Sequence, residues 1–191
     1  MLYVVRHGKT GFNETKRTMG RMDIPLSGIG EQEAEVLKEK LEEDDIDLII
    51  SSPLIRAKET AMIINKSKNV ELKFDERITE RFLGFLEGRN YTQDNNEIWD
   101  INVNTKEYNV ETMSDFKDRV YNFLDETLEE YKDKNVLLVT HGGVSALINC
   151  YFNNTLFDGS ISDKFLENGE VASYETNSYK KVKKYEFKLE D

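Results

Sequence analysis

The chain has a single cysteine, Cys150, so no disulfide can form within it. An unpaired thiol fits a reducing compartment. No apolar run approaches membrane-spanning length, and the first residues lack the basic-then-apolar pattern of a secretory leader. These absences predict a soluble, cytoplasmic protein. Positive charge is scarce: 26 Lys and Arg stand against 37 Asp and Glu, for a net charge of −11. Such a field repels nucleic acid and anionic membranes, so neither is expected as a partner. Repeats, linkers and low-complexity tracts are missing. Histidine is nearly missing too, and the only two are His7 and His141. A closed zinc site wants four ligands at recognisable spacing. Neither His-x-x-x-His nor His-x-Asp occurs, and flanking arginines would repel a cation. No metal and no cofactor are expected.

What is present argues for one domain over residues 1–191. A chain of this length buries roughly 70% of the surface its unfolded form exposes, so it needs no staples. Leu2 to Val5 is apolar and β-branched without alternation, which suits a strand buried on both faces. It runs into Arg6-His7-Gly8, at the end where α/β sheets place ligands. Gly8 lets the chain turn sharply and approach a ligand closely. Gly8-Lys9-Thr10 imitates the end of a P-loop, but Tyr3 stands where that motif needs glycine.

Strands and helices alternate from there. Ser27 caps a helix to about Glu43, with Ala34, Leu37 and Leu41 on one face. Asp47 to Ser51 is a second buried strand. Ser52-Pro53 reads as a cap and first helical residue, opening a helix to about Asn65 that carries Arg56. Glu71 to Ile78 alternates like an edge strand. Residues 89–113 are irregular and read as a lid or insertion. Ser114 caps a helix to about Lys132, whose stripe of Phe116, Val120, Phe123, Leu124, Thr127 and Tyr131 faces the core. Asn135 to Thr140 is a third buried strand, ending at His141-Gly142-Gly143, and a helix follows to about Phe152. Glu170 to Tyr174 and Val182 to Leu189 read as a terminal antiparallel pair, turning near Asn177-Ser178, with Lys180 to Lys184 as a solvated edge. The alternation predicts a three-layer α/β/α sandwich on a mostly parallel sheet.

If the sheet is parallel, Arg6, His7, Arg56 and His141 meet at one edge. Two guanidinium forks, two imidazoles and the N–H groups of a helix opened by Gly142 and Gly143 make a site for a phosphate dianion. A neighbouring arginine lowers a histidine pKa, and a neutral imidazole can attack phosphorus. The remaining cations would stabilise charge developing on the equatorial oxygens. A leaving alkoxide needs a proton, and a carboxylic acid beside a phosphate is suited to give one. Glu80 and Glu87 are candidates by position.

These motifs resemble the histidine phosphatase superfamily, in its phosphoglycerate-mutase-like branch. Arg6-His7-Gly8-Lys9-Thr10 with Asn13 matches its opening signature, and Arg17, Gly20, Asp23, Pro25-Leu26-Ser27, Gly30 and Ala34 continue it. Ser51-Ser52-Pro53-Leu54-Ile55-Arg56-Ala57 with Thr60-Ala61 matches the second arginine's segment. Glu80, Gly84 and Glu87-Gly88 match the acid-bearing segment. Glu111-Thr112 with Arg119, and then His141-Gly142-Gly143, complete the order. The resemblance implies that His7 is the phosphorylated nucleophile, that Arg6, Arg56 and His141 complete the phosphate pocket, and that Glu80 is the proton donor. It also implies that Asn13, Gly20 and Gly142 line the pocket, that Glu87 is structural and that no metal is used. Lys9 departs from the pattern, which has an acidic residue there. Its side chain is expected to face solvent.

Family mutases are longer and carry additional basic residues in the insertion after the acid. Here residues 89–113 hold only Arg89 and Lys106 as cations, among several acids. The expected activity is therefore hydrolysis of a small phosphomonoester through a phosphohistidine. Mutase-type transfer is the first alternative, and a pocket that binds a phosphorylated ligand without turnover is the second.

Overall fold

The computed structural model describes residues 1–91, 97–155 and 159–176. A five-stranded sheet forms its centre, in the order β3-β2-β4-β1-β5. The strands are β1 (Leu2–Arg6), β2 (Leu48–Ser51), β3 (Glu71–Phe74), β4 (Val136–Thr140) and β5 (Val171–Tyr174). All neighbours pair in parallel except β5, which runs antiparallel to β1. The mostly parallel sheet is as the alternation predicts. β4 is buried at every position because it lies between β1 and β2 and under helices on both sides.

Successive side chains of a strand point to opposite faces, and the strands divide their residues accordingly. Val5, Ile49, Leu137 and Val139 pack with Leu37 of α2 (Gly28–Lys40) and with Ala57, Ala61 and Ile64 of α3 (Ile55–Lys68). On the opposite face, Val4, Leu48, Ile50 and Leu138 meet α4 (Met113–Glu130) and α5 (Gly142–Asn153). Phe116, Val120, Phe123 and Leu124 of α4 lie in that second core. A short helix, α1 (Gly11–Glu14), precedes α2 and is closed by a capping box of Thr10 and Asn13.

Several boundaries differ from expectation. The helix after β2 does not start at Ser52-Pro53. It opens at Ile55, whose N–H donates to Asp23 Oδ1 at 2.6 Å, so a distant carboxylate supplies the cap. The Ser52 hydroxyl accepts from Leu54 N at 3.3 Å, before the helix, and lies 2.8 Å from His141 Nε2. Thr112, rather than Ser114, caps α4, its Oγ1 accepting from Asp115 N at 3.1 Å. The edge strand stops at Phe74, and a 3-10 turn (Glu76–Ile78) follows. Val171–Tyr174 pairs with β1 as the antiparallel edge of the sheet. Its expected partner, Val182 to Leu189, and Asn177-Ser178 and Lys180 to Lys184 lie outside the described residues. Part of the expected lid is core: Ile98, Trp99, Val110 and Met113 are buried. Among the described residues, no helix is long and apolar enough to cross a membrane.

Candidate active site

The carboxyl ends of β1 and β4 build the floor. Their register sets Arg6 beside Thr140, and His7 N–H donates to the Thr140 carbonyl at 3.0 Å. The ladder thus continues one residue past the strand and fixes His7. His141 follows β4 directly, and the two imidazole centroids lie 5.1 Å apart, edge to face. Arg56 enters from the first turn of α3. Its Nε donates to His7 Nε2 at 3.1 Å, while Nη1 and Nη2 donate to the carbonyls of Met22 at 2.8 Å and Gly20 at 2.9 Å. Arg6 Nη1 donates to the Leu166 carbonyl at 2.7 Å, and among the described residues its buried Nε has no partner.

The tautomer of His7 follows from these partners. Its Nδ1 lies 2.7 Å from the Gly8 carbonyl, which can only accept. Nδ1 therefore carries the proton and Nε2 keeps its lone pair, facing a guanidinium that can only donate. Burial first, then the charges of Arg56 and Arg6, push the His7 pKa well below its ordinary value. Burial and the same arginines act likewise on His141. Its Nε2 is 2.8 Å from Ser52 Oγ, and among the described residues its buried Nδ1 has no partner. Burial also pulls Arg56 down to about 10, which leaves it charged at neutral pH.

Glu80 forms the wall opposite. It sits on an irregular segment, so side chains rather than a ladder must hold it. Arg119 of α4 donates to the carbonyls of Arg77 at 2.6 Å, Thr79 at 2.9 Å and Glu80 at 3.0 Å. The same guanidinium forks onto Glu111 at 2.7 and 3.0 Å. Arg21 Nε reaches the Glu80 carbonyl at 3.2 Å. The Glu80 carboxylate accepts from Arg81 N at 2.9 Å and from Gly143 N at 3.1 Å.

A cavity of about 230 Å³ lies between floor and wall. Arg6, His7, Asn13, Gly20, Arg56, Glu80 and Gly142 all line it, and His141 sits behind His7, fully buried. Gly20 has φ +53°, and a Cβ there would fall 2.1 Å from Glu87 Oε1, so both backbone and space require glycine. Glu87 does not line the cavity. Its Oε1 accepts from Arg21 N at 2.8 Å and Leu83 N at 3.1 Å, tying the Gly20 loop to the acid-bearing segment.

Three expectations need correction. Gly143 does not offer its N–H to an anion, because Glu80 takes it. Gly8 makes its close approach to Gly30 rather than to the cavity, since a Cβ on it would lie 2.2 Å from the Gly30 carbonyl oxygen. Lys9 is partly exposed, as expected, but it is paired: Nζ lies 3.1 Å from Glu33 Oε1. Lys16, Arg17, Tyr91, Trp99 and Phe165 also line the cavity. Arg17 belongs to the opening motif but had no role assigned to it, and Lys16 could have been found from its place between Asn13 and Gly20. Trp99 and Phe165, packed edge to face at 4.8 Å, come from irregular segments with no periodic signal. Among the described residues, no group of three or more His, Cys, Asp or Glu side chains is placed to hold a metal ion.

A buried imidazole lone pair among cations, at the carboxyl edge of a parallel sheet and facing a carboxylate, defines a centre for handling a phosphoryl group. Comparison with known proteins gives the family. The histidine phosphatase superfamily (branch 1) matches residues 2–185, and the chain belongs to that superfamily. It is 34% identical over 145 residues to the Bacillus subtilis protein named uncharacterized phosphatase PhoE, covering 73% of this chain and 70% of that one. It is 36% identical over 148 residues to a Salmonella choleraesuis protein named probable phosphoglycerate mutase GpmB, covering 74% and 69%. The solved structure of Bacillus stearothermophilus YhfR superposes with a TM-score of 0.78 at 28% identity, covering 89% of this chain and 88% of that one.

Proposed function

We propose that this chain is a metal-independent phosphatase that hydrolyses a small phosphomonoester through a phosphohistidine on His7. The observation that carries the reading is the lone pair of His7 Nε2, held among Arg6, Arg56 and His141 and facing Glu80 across one cavity. An arriving phosphate offers Arg56 a charged acceptor in place of Nε2, which frees the lone pair. Nε2 attacks phosphorus, the bond to the ester oxygen breaks, and the proton carried by Glu80 in the complex goes to the leaving alkoxide. Water then attacks phosphorus, Glu80 takes its proton, the P–N bond breaks and inorganic phosphate leaves. Arg6 and Arg56, which line the cavity, hold the equatorial oxygens throughout, and the unpartnered Nδ1 of buried His141 is the group left to reach a third. The cavity is below the usual range for drug-sized ligands, which fits a small substrate.

Hydrolysis is preferred to mutase transfer because a mutase must retain a bisphosphate and exclude water. Residues 89–113, the substrate-selecting segment in this reading, carry few cations for that task. Residues 1–191 act as one domain, and the unpaired Cys150 suits a cytoplasmic setting.

The test is turnover of an aryl phosphate in excess chelator, with the phosphoenzyme trapped. Turnover is expected with chelator present, and His7→Ala is expected to lose both turnover and the acid-labile phosphoenzyme. An active His7→Ala protein, or activity lost to chelator, overturns the reading. A protein that only binds phosphorylated ligands would show affinity and no phosphoenzyme. Accumulation of 2-phosphoglycerate from 3-phosphoglycerate without inorganic phosphate would favour the mutase.

A further inference from the structure

Ser52 does not line the cavity, yet each of its polar groups is placed. Its N–H donates to the Val139 carbonyl at 2.9 Å, which continues the pairing of β2 with β4 one residue past the strand. Its carbonyl accepts from Ser51 Oγ at 2.9 Å. Its Oγ accepts from Leu54 N at 3.3 Å and lies 2.8 Å from His141 Nε2. The residue is fully buried, so bulk water offers its hydroxyl no other partner.

The direction of the bond to His141 follows from what each atom has left. A serine hydroxyl has one proton to give and two lone pairs. One lone pair takes the Leu54 N–H. Among the described residues, His141 Nε2 is the acceptor that remains for the proton. If the imidazole donated instead, the hydroxyl proton would be buried without an acceptor, which native structures avoid. The hydroxyl therefore donates and Nε2 accepts. His141 is neutral, because burial first, then the charge of Arg56, holds its pKa well below the ordinary value. A neutral ring carries one proton, and with Nε2 accepting it sits on Nδ1. That Nδ1 is buried and has no partner among the described residues. The start of α5 gives the ring no other hold. His141 makes no side-chain cap bond there, and only its carbonyl is used, accepting from Ser145 N at 2.9 Å.

We infer that Ser52 is a positioning residue for the reaction: its hydroxyl donates to His141 Nε2, keeps the imidazole proton on Nδ1 and so makes Nδ1 a hydrogen-bond donor to a phosphoryl oxygen. This rests on the phosphatase reading for the phosphoryl group. The opposite tautomer would turn a lone pair, instead of an N–H, toward an oxygen that can only accept. The two imidazoles thus hold their protons on the same ring atom for opposite ends. The Gly8 carbonyl takes the Nδ1 proton of His7 and leaves Nε2 free to attack. Ser52 gives a proton to Nε2 of His141 and leaves the Nδ1–H free to donate.

His7 and His141 are the only histidines, so long-range proton–nitrogen spectra of the histidine-labelled protein read both tautomers directly, with His7→Ala to assign the rings. Spectra are recorded at neutral pH with and without inorganic phosphate for the natural protein, Ser52→Ala and Ser52→Thr, and kcat/KM on p-nitrophenyl phosphate is measured for each. In the natural protein both rings are expected as Nδ1–H in either condition. Ser52→Ala is expected to leave the His7 tautomer unchanged, to move His141 toward Nε2–H and to lower kcat/KM by about tenfold to a hundredfold, short of a whole lost oxyanion-hole donor. Ser52→Thr keeps a hydroxyl and is expected to restore the tautomer and most of the rate. Ser52→Cys, of similar shape with a weaker donor, replaces either variant that does not fold and is expected to fall between them. An Nε2–H tautomer in the natural protein overturns the inference. So does a doubly protonated His141 with phosphate bound, because an imidazolium donates from Nδ1 without help from Ser52. A Ser52→Ala protein that loses rate while His141 keeps its tautomer overturns it too, since Ser52 would then act through packing. A shifted tautomer with an unchanged kcat/KM removes the donor role. A Ser52-dependent tautomer and weaker phosphate binding in Ser52→Ala, with no turnover by the natural protein, overturn the phosphatase reading and leave the placement of the proton by Ser52 standing.

Discussion

The floor and the wall of the cavity solve one positioning problem in two ways. The floor uses the sheet: His7 is fixed by a ladder bond to Thr140, and His141 is the residue after β4. The wall has no ladder. Glu80 stays in place because Arg119 gathers three consecutive-turn carbonyls and Glu111 holds Arg119 in turn. Backbone pairing is set by a whole strand and resists any single side-chain change. A wall held by a few charge-assisted contacts is adjustable by single substitutions. The group that must touch phosphorus sits on the rigid part, and the group that must meet different leaving alcohols sits on the adjustable one.

Glu80→Gln should separate the two regions most sharply. Glutamine keeps the size of the side chain and one acceptor oxygen, so it retains one of the two N–H contacts made by Arg81 to Oε1 and Gly143 to Oε2, but it cannot donate the proton of a carboxylic acid. For an alkyl phosphate, kcat should fall by about 10²–10⁴-fold, the usual scale of general acid catalysis. For p-nitrophenyl phosphate, whose phenolate leaves without a proton, the fall should be far smaller. Steady-state rates on both substrates decide it. An equal fall on both would mean that Glu80 holds structure rather than a proton.

The same contrast explains how much could be seen in the sequence. Leu2 to Val5 and Val136 to Val139 are short apolar runs, and their length and β-branched content favour a doubly buried strand over a helix. Placing Arg6, His7 and His141 then needed only the parallel direction of the sheet. Arg56 was legible because it lies in the first turn after such a strand. Glu80 was placed by its motif, and Glu111 and Arg119 stood out in theirs, but their task of holding Glu80 was not legible, since they reach it across a loop with no periodic pattern. Gly143 was misjudged for the same reason: its N–H looks free until the wall closes over it. Trp99 and Phe165 were invisible, because packing of irregular segments depends on the whole fold rather than on local spacing.

Acid should break the floor before the wall. Both histidines are buried and neutral, with pKa values held well below 6.5 in the folded chain. The unfolded chain regains the ordinary value, so below about pH 6.5 it binds more protons than the folded one. Stability therefore rises with pH through this window and is lost as pH falls. Two such groups give a slope of up to about 2.7 kcal/mol per pH unit once both are protonated only in the unfolded chain. Urea unfolding at pH 7.5, 6.5 and 5.5 measures it, above the range where carboxylates titrate. A flat profile between 6.5 and 5.5 would show that the folded chain accepts these protons.

The smallest expected effect tests whether place or mere charge matters. Lys9 belongs to the floor's own turn, and its side chain is 44% exposed and paired with Glu33. An exposed pair of this kind contributes about 0–1 kcal/mol. Lys9→Gln leaves Glu33 its contact with the Lys9 N–H at 2.7 Å, so the turn should hold. Stability should fall by about 1 kcal/mol or less, and kcat/KM on p-nitrophenyl phosphate should stay as in the natural protein. A fall in kcat/KM on that substrate would mean that the molecule's overall field, rather than the cations placed in the cavity, governs the reaction. An unchanged value would mean that a cation only a few residues from His7 counts for nothing once it points away from the cavity and is spent on a partner.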